Sequence, residues 1–217
     1  MSAQLLDRFE FERTLWQQKV ARVAGIDEAG RGPLAGPVVA AAAILPPRWA
    51  ESGLPGELAG LNDSKQLTAA QREQYFEFLT RCAEIEFAIA AVDAGVIDEI
   101  NILQATHRAM NAALAQLNPL PPHALVDGRP VKTLRVPQTA IVGGDARSYS
   151  IAAASVLAKV TRDRRMRAYA VQFPEYGFAE HKGYGTARHL AAIQKHGACP
   201  IHRRTFAPLK PAAAKRF

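Results

Sequence analysis

The sequence predicts an α/β fold, a mixed sheet with helices on its faces, from three observations. Two apolar runs near the start are joined by a glycine-rich turn, "VAGIDEAGRGPLAGPVVAAAAIL" over 23–45. Strand-like runs then alternate with runs of helical period. Two of the helical runs, over 97–117 and 149–172, are long enough to cover a sheet face.

In chain order, an N-terminal helix is expected over about 8–20. "RVAGID" (22–27) and "GPVVAAAAIL" (36–45) read as strands, because apolar runs bounded by glycine turns suit buried strands. "SKQLTAAQREQYFEFLTRCA" (64–83) has helical period, with Leu67, Tyr75, Phe78 and Leu79 apolar. "EIEFAIAAV" (84–92) alternates as a strand, and "IDEINILQATHRAMNAALAQL" (97–117) reads as one long helix. Two short strands follow, "ALVDG" (124–128) and "QTAIVGGD" (138–145). The stretch over 149–172 is helical, apolar on one face and basic towards its end. "TARHLAAIQKHG" (186–197) is a last helix with a glycine stop. Proline-rich loops at 45–57 and 117–123 are too short to link domains.

At 217 residues, 48% hydrophobic and 22% charged, the chain fits one globular domain with a real core. Residues 1–126 carry 10 Lys and Arg against 15 Asp and Glu, whereas residues 127–217 carry 17 against 5. A basic half and a net charge of +7 suggest a polyanionic partner. Cys82 and Cys199 form no CxxC pair and no disulfide framework, so structural thiols in a reducing compartment are expected. The N-terminal segment has no long apolar core and no run approaches the ~20 residues that span a bilayer. A cytoplasmic protein that does not meet a membrane is expected.

Four acids sit where predicted strands run out: Asp27 and Glu28 after "VAGI", Asp127 after "ALV" and Asp145 after "AIVGG". Adjacent strand ends of an α/β sheet converge on a crevice. Four carboxylates there would repel one another unless cations lie between them. Oxygen ligands of this kind suit Mg²⁺ or Mn²⁺, and no Cys/His spacing for zinc is present.

The segment "GIDEAGRGPLAGPVV" resembles the signature of the type 2 ribonucleases H, in particular the bacterial ribonuclease HII family. Six further segments resemble that family in order: "LNDSKQL" (61–67), "DEINILQAT" (98–106), "LVDG" (125–128), "GGDARSYSIAAASVLAKVTRDR" (143–164), "FPEYGFAEHKGYGT" (173–186) and "HRRTF" (202–206). The resemblance implies a ribonuclease H-like, mixed five-stranded sheet flanked by helices, with a small helical C-terminal extension. It implies an N-terminal helical extension over 1–20, a catalytic domain over 21–208 and a basic tail over 209–217. The implied activity is cleavage of RNA–DNA hybrids, and 5′ of single ribonucleotides in duplex DNA, leaving 3′-hydroxyl and 5′-phosphate ends. Its catalytic and metal-binding acids would be Asp27, Glu28, Asp127 and Asp145, the last two on successive strands, with Asp27 bridging two divalent cations, Mn²⁺ or Mg²⁺.

Such a pair of ions activates water and stabilises the leaving oxygen of a phosphodiester. By the same resemblance, Gly30, Arg31 and Gly32 read the ribose 2′-hydroxyl through the backbone, since glycine lets a ligand approach closely. The resemblance also implies that Tyr184 would pack on the sugar after the ribonucleotide. Ser64 and Lys65, expected near a helix start, would hold phosphate, as would Ser155, Lys159 and Lys182. His202, Arg203 and Arg204 could extend that basic surface, while Arg164, Arg165 and Arg167 read as a generic basic face. Ribonuclease HIII resembles the same fold, but its "GKG" loop and extra N-terminal domain are not matched by Arg31 and the short N-terminal segment here. A non-catalytic hybrid-binding module or a DNA-only nuclease fits the four acids and the "GRG" loop less well. A monomer is the default expectation.

Overall fold

A computed structural model of the protein describes residues 7–210. The first six residues of the expected N-terminal extension and residues 211–217 of the basic tail lie outside the described residues. Five strands form one mixed sheet in the order β3-β2-β1-β4-β5, with β1 Val23–Ala29, β2 Val38–Ile44, β3 Glu86–Val92, β4 His123–Asp127 and β5 Gln138–Ile141. β1, β2 and β3 pair antiparallel, while β4 runs parallel to β1 and β5 parallel to β4. The helices are α1 Glu10–Gln17, α2 Trp49–Ser52, α3 Ala69–Arg81, α4 Ala94–Leu114, α5 Tyr149–Gln172, α6 Phe178–His181 and α7 Ala187–His196. The expected five-stranded mixed sheet is therefore the one observed.

The alanine run of β2 explains how two helices cover one sheet. Successive side chains of a strand point to opposite faces. Ala41 and Ala43 accordingly join the cluster containing Ala152, Ala153 and Leu157 of α5. Ala40 and Ala42 join the cluster containing Ala105, Ala109 and Ala113 of α4. Small residues on both faces let both helices sit close. On β1 the helix backbone itself comes close: a Cβ on Gly25 would lie 2.1 Å from the backbone carbon of Ser150. Helix α5 is buried around its whole circumference from Ser150 to Ala158, so the expectation of a single apolar face does not hold for its first half. The N-terminal helix α1 also packs inward: Phe9 and Leu15 are buried. The fully buried Glu12 accepts from the Ser148 hydroxyl (2.6 Å) and the Ser150 N–H (3.1 Å) at the start of α5.

Two helix boundaries differ from the sequence reading. The helix expected from Ser64 begins at Ala69, because Thr68 and Gln71 form a reciprocal capping box that leaves 64–66 as a turn. The long helix α4 starts at Ala94 and breaks at Asn101, whose φ is +65°. The Asn101 side chain accepts from the N–H groups of Leu103 and Gln104, so it caps the second half of the helix. Among the described residues, no helix is long and apolar enough to cross a membrane.

Candidate active site

Parallel pairing of β1 with β4 places Ile26 opposite Val126, so Asp27 and Asp127 come side by side. Asp127 ends β4, but Asp27 and Glu28 are still inside β1, opposite Ala41 and Ala40 of β2, and not where that strand runs out. The third acid arrives differently. β5 ends at Ile141, and after Gly143, in the left-handed region, a 3₁₀ turn over Gly144–Ala146 carries Asp145 back. Asp145 is thus on a turn and not at the end of a strand, which corrects the reading of two acids on successive strands. The N–H of Gly144 donates to Asp127 Oδ1 at 2.7 Å, tying the turn to β4.

One carboxylate oxygen from each of Asp27, Asp127 and Asp145 lies within 4.8 Å of the others. Asp27 is 4% and Asp145 5% exposed. Burial, then the negative charges of Glu28 and Asp127, hold the Asp27 carboxyl well above the usual carboxylate range. Asp145 is raised by burial and by Asp127, against Lys65, whose Nζ is 3.6 Å away. Glu28 is raised by burial and opposed by Arg31, whose Nη1 is 3.1 Å from its carboxylate. The four expected acids therefore resolve into a cluster of three, with Glu28 beside them facing an arginine. The three clustered oxygens are hard, anionic and mutually repelling, a donor set that fits Mg²⁺ or Mn²⁺.

Asp27, Glu28 and Asp127 line a cleft of about 470 Å³. The same cleft is lined by Gly30, Arg31, Gly32, Ser64, Lys65, Ser155, Lys159 and Tyr184, so these expected site residues are brought together. Ser64 and Ser155 are buried and share a hydrogen bond of 2.8 Å. Lys159 is paired with Asp163 at 2.8 Å. Tyr184 is half exposed, and a Cβ on Gly32 would lie 3.8 Å from its ring. Lys182 lies outside the cleft lining, with its amine on the Ala179 carbonyl. Ser64 and Lys65 precede the Thr68 cap, so no helix start places them; Arg72 holds the Ser64 carbonyl at 2.7 Å instead.

Sequence reasoning missed two arginines at this site and misplaced a third. Arg72 and Arg162 line the cleft. Arg203, read as part of a basic surface, is fully buried, as is Arg162, and His202 is buried beside it. Neither His202 nor Arg203 adds to a phosphate-binding surface. Of the arginines read as a basic face, Arg164 and Arg167 both pair with Glu73.

A family model described as Ribonuclease HII matches residues 24–209. Ribonuclease HII of Endomicrobium trichonymphae is 53% identical over 202 residues, covering 93% of this chain and 92% of its own. Ribonuclease HII of Geobacter metallireducens is 53% identical over 210 residues, covering 94% and 95%. The crystal structure of ribonuclease H2 from Pyrococcus horikoshii OT3 superposes with a TM-score of 0.70 at 30% identity, covering 87% of this chain and 95% of that one.

Proposed function

The chain belongs to the ribonuclease HII family, metal-dependent endoribonucleases of RNA–DNA hybrids, and on that premise we propose that it also cuts 5′ of single ribonucleotides embedded in duplex DNA. The observation that carries the proposal is the placing of three carboxylate oxygens within 4.8 Å of one another, two of them, from Asp27 and Asp127, on residues lining a cleft that also presents the Gly30–Gly32 loop and Tyr184. Asp27, Asp127 and Asp145, with Glu28 alongside, would hold two divalent cations, Mn²⁺ or Mg²⁺. Bound there, such ions supply an activated water and positive charge for the departing 3′ oxygen.

The remaining residues bind and orient. Backbone groups of Gly30, Arg31 and Gly32 face the ribose, where the 2′-hydroxyl is the group that separates RNA from DNA. Gly30 has φ +95°, and a Cβ there would meet Arg162 Nε at 2.0 Å, so only glycine keeps this backbone on the buried arginine. Tyr184 offers a half-exposed ring for the following sugar. Lys65, Ser64, Ser155 and Lys159 line the cleft on the path of the backbone phosphates, with Lys182 outside that lining, and such contacts position the duplex without reading sequence. Cleavage leaves 3′-hydroxyl and 5′-phosphate ends and begins removal of misincorporated ribonucleotides.

The test is a labelled duplex bearing one ribonucleotide, incubated with the protein and Mg²⁺ or Mn²⁺ in separate reactions, with an all-DNA duplex as control. A single cut on the 5′ side of the ribonucleotide, absent with EDTA and absent from the control, is expected. Cleavage of the all-DNA duplex, or no cleavage of the ribonucleotide-bearing one with either metal, would refute the reading.

A further inference from the structure

Among the described residues the buried Arg203 forms no ion pair; its guanidinium is spent on backbone. Nε donates to Gly36 O (3.0 Å), Nη1 to Arg31 O (2.9 Å) and Nη2 to Gly30 O (2.5 Å). The rest of its segment is pinned to the same loop. Arg203 N–H donates to Leu34 O and Gly36 N–H to Ile201 O, both at 2.8 Å, and Ala35 bridges His202. Arg162 supports the far end of the loop through Pro37 O and Ala35 O, both at 3.0 Å.

These bonds set a direction. In a trans peptide, the carbonyl of one residue and the N–H of the next lie in one plane and point in opposite directions within it. The cis bonds lie elsewhere, at Asn118-Pro119 and Ala207-Pro208. Carbonyls of Gly30 and Arg31 turned down onto Arg203 therefore turn the N–H groups of Arg31 and Gly32 away from it, towards the cleft those residues line.

The neighbouring side chain connects to the backbone of the other substrate-facing residue. Cys199 N–H can only donate, so His202 Nδ1 accepts from it at 3.0 Å and His202 carries its proton on Nε2. That proton goes to His189 Nε2 at 3.0 Å, and His189 Nδ1 donates to the carbonyl of Tyr184 at 2.9 Å. At the surface, Asp98 anchors the segment by accepting from Arg204 N–H, Thr205 N–H and the Thr205 hydroxyl at 2.6–2.9 Å.

We propose that residues 199–205 form a strut in which Arg203 and His202 are positioning residues for ribose recognition. Arg203 aims the loop N–H groups, and His202, through His189, fixes Tyr184 at a set distance from them. The inference rests on the reading of Gly30–Gly32 and Tyr184 as the substrate-facing groups. Neither positioning side chain touches the carboxylates or forms part of the phosphate-facing surface, so metal use and duplex affinity are left unchanged when the strut loosens.

The test compares the wild type with Arg203→Met, Arg203→Lys and Asp98→Asn. It measures single-turnover cleavage of a duplex with one ribonucleotide, duplex affinity, Mn²⁺ half-saturation and amide exchange over 30–37. Arg203→Met is expected to slow cleavage about 100-fold, the scale set by misplacing a reacting group by an ångström. Arg203→Lys, which keeps the charge but not the fork, should fall between it and the wild type. Affinity and half-saturation should hold, and exchange at Arg31 and Gly32 should quicken. A wild-type cleavage rate in either folded Arg203 variant overturns the proposal, as does a parallel loss of duplex affinity and Mn²⁺ response. If neither Arg203 variant folds, the surface change Asp98→Asn decides: a several-fold slower cut at unchanged affinity supports the strut, and a wild-type rate overturns it. A wild-type protein that leaves the ribonucleotide uncut defeats the functional reading instead; the exchange comparison then still decides whether Arg203 holds the loop.

Discussion

Replacing Asp27 by asparagine should make the metal-free protein more stable while abolishing cleavage. Oxygens of Asp27 and Asp127 lie within 4.8 Å, and two unit charges at that distance cost about 3 kcal/mol at an effective dielectric of about 20. Asp27 is buried and its carboxyl is raised well above 3.8, so partial protonation already relieves some of this repulsion. A gain of about 2 kcal/mol is what remains, which in a chain of this size raises the melting temperature by about 4–8 °C. The sign follows from linkage. A carboxyl with a raised folded-state pKa favours the fold while it is protonated, and that stability drains away as pH rises above 3.8 through the folded value. The advantage of Asp27→Asn should therefore be largest at neutral pH and shrink towards pH 4. Asparagine keeps an oxygen for the Glu28 N–H, which Asp27 Oδ1 accepts at 2.6 Å, so no packing loss masks the effect. The assay is calorimetric melting in EDTA across pH, with Mg²⁺-dependent cleavage measured alongside. A variant less stable than the wild type in EDTA at neutral pH, or one that still cuts, would refute the reasoning.

The histidine chain carries a second pH dependence of opposite sense. Burial, with His189 adjacent, pushes His202 from 6.5 down to about 4. The fold therefore requires the neutral ring: its stability is full above pH 6.5 and lost as pH falls towards 4, by up to about 3 kcal/mol. His202→Gln should be less stable than the wild type at pH 7.5, with the gap in urea unfolding closing by pH 4.5; a constant gap would contradict this. Tyr184→Ala should lose about 10-fold more cleavage at a single embedded ribonucleotide than on a uniform RNA–DNA hybrid, a difference of about 1.4 kcal/mol, whereas equal losses would remove Tyr184 from junction recognition.

The strands and two of the acids were legible because they depend on local pattern. Apolar runs cut by glycine turns mark β1 and β2, and the parallel pairing of β1 with β4 brings Asp27 and Asp127 together, although Asp27 lies inside β1 and not at its end. The place of Asp145 on a turn is not legible, since a left-handed Gly143 followed by one 3₁₀ turn leaves no periodic trace. The start of α3 was readable in principle: Thr68-Ala-Ala-Gln71 is a capping box, yet apolar Leu67 in helical phase extended the reading through the preceding turn. Arg203 reads as surface in the sequence because a charged residue is almost never fully buried unless paired. Its partners are three carbonyls more than 160 residues earlier in the chain, which no local pattern reports. Asn101 breaks α4 by capping its second half, a competition between side chain and backbone that hydrophobic period ignores.

Manganese binding tests most directly whether the carboxylate cluster is a metal site. Titrating Mn²⁺ into the wild type and Asp127→Asn at pH 7.5, with free ion followed by electron paramagnetic resonance, should show saturable uptake by the wild type. In the variant it should weaken by about 10-fold or more. Equal affinity in the two proteins, or no uptake by the wild type with or without a ribonucleotide-bearing duplex, would place the metal chemistry elsewhere.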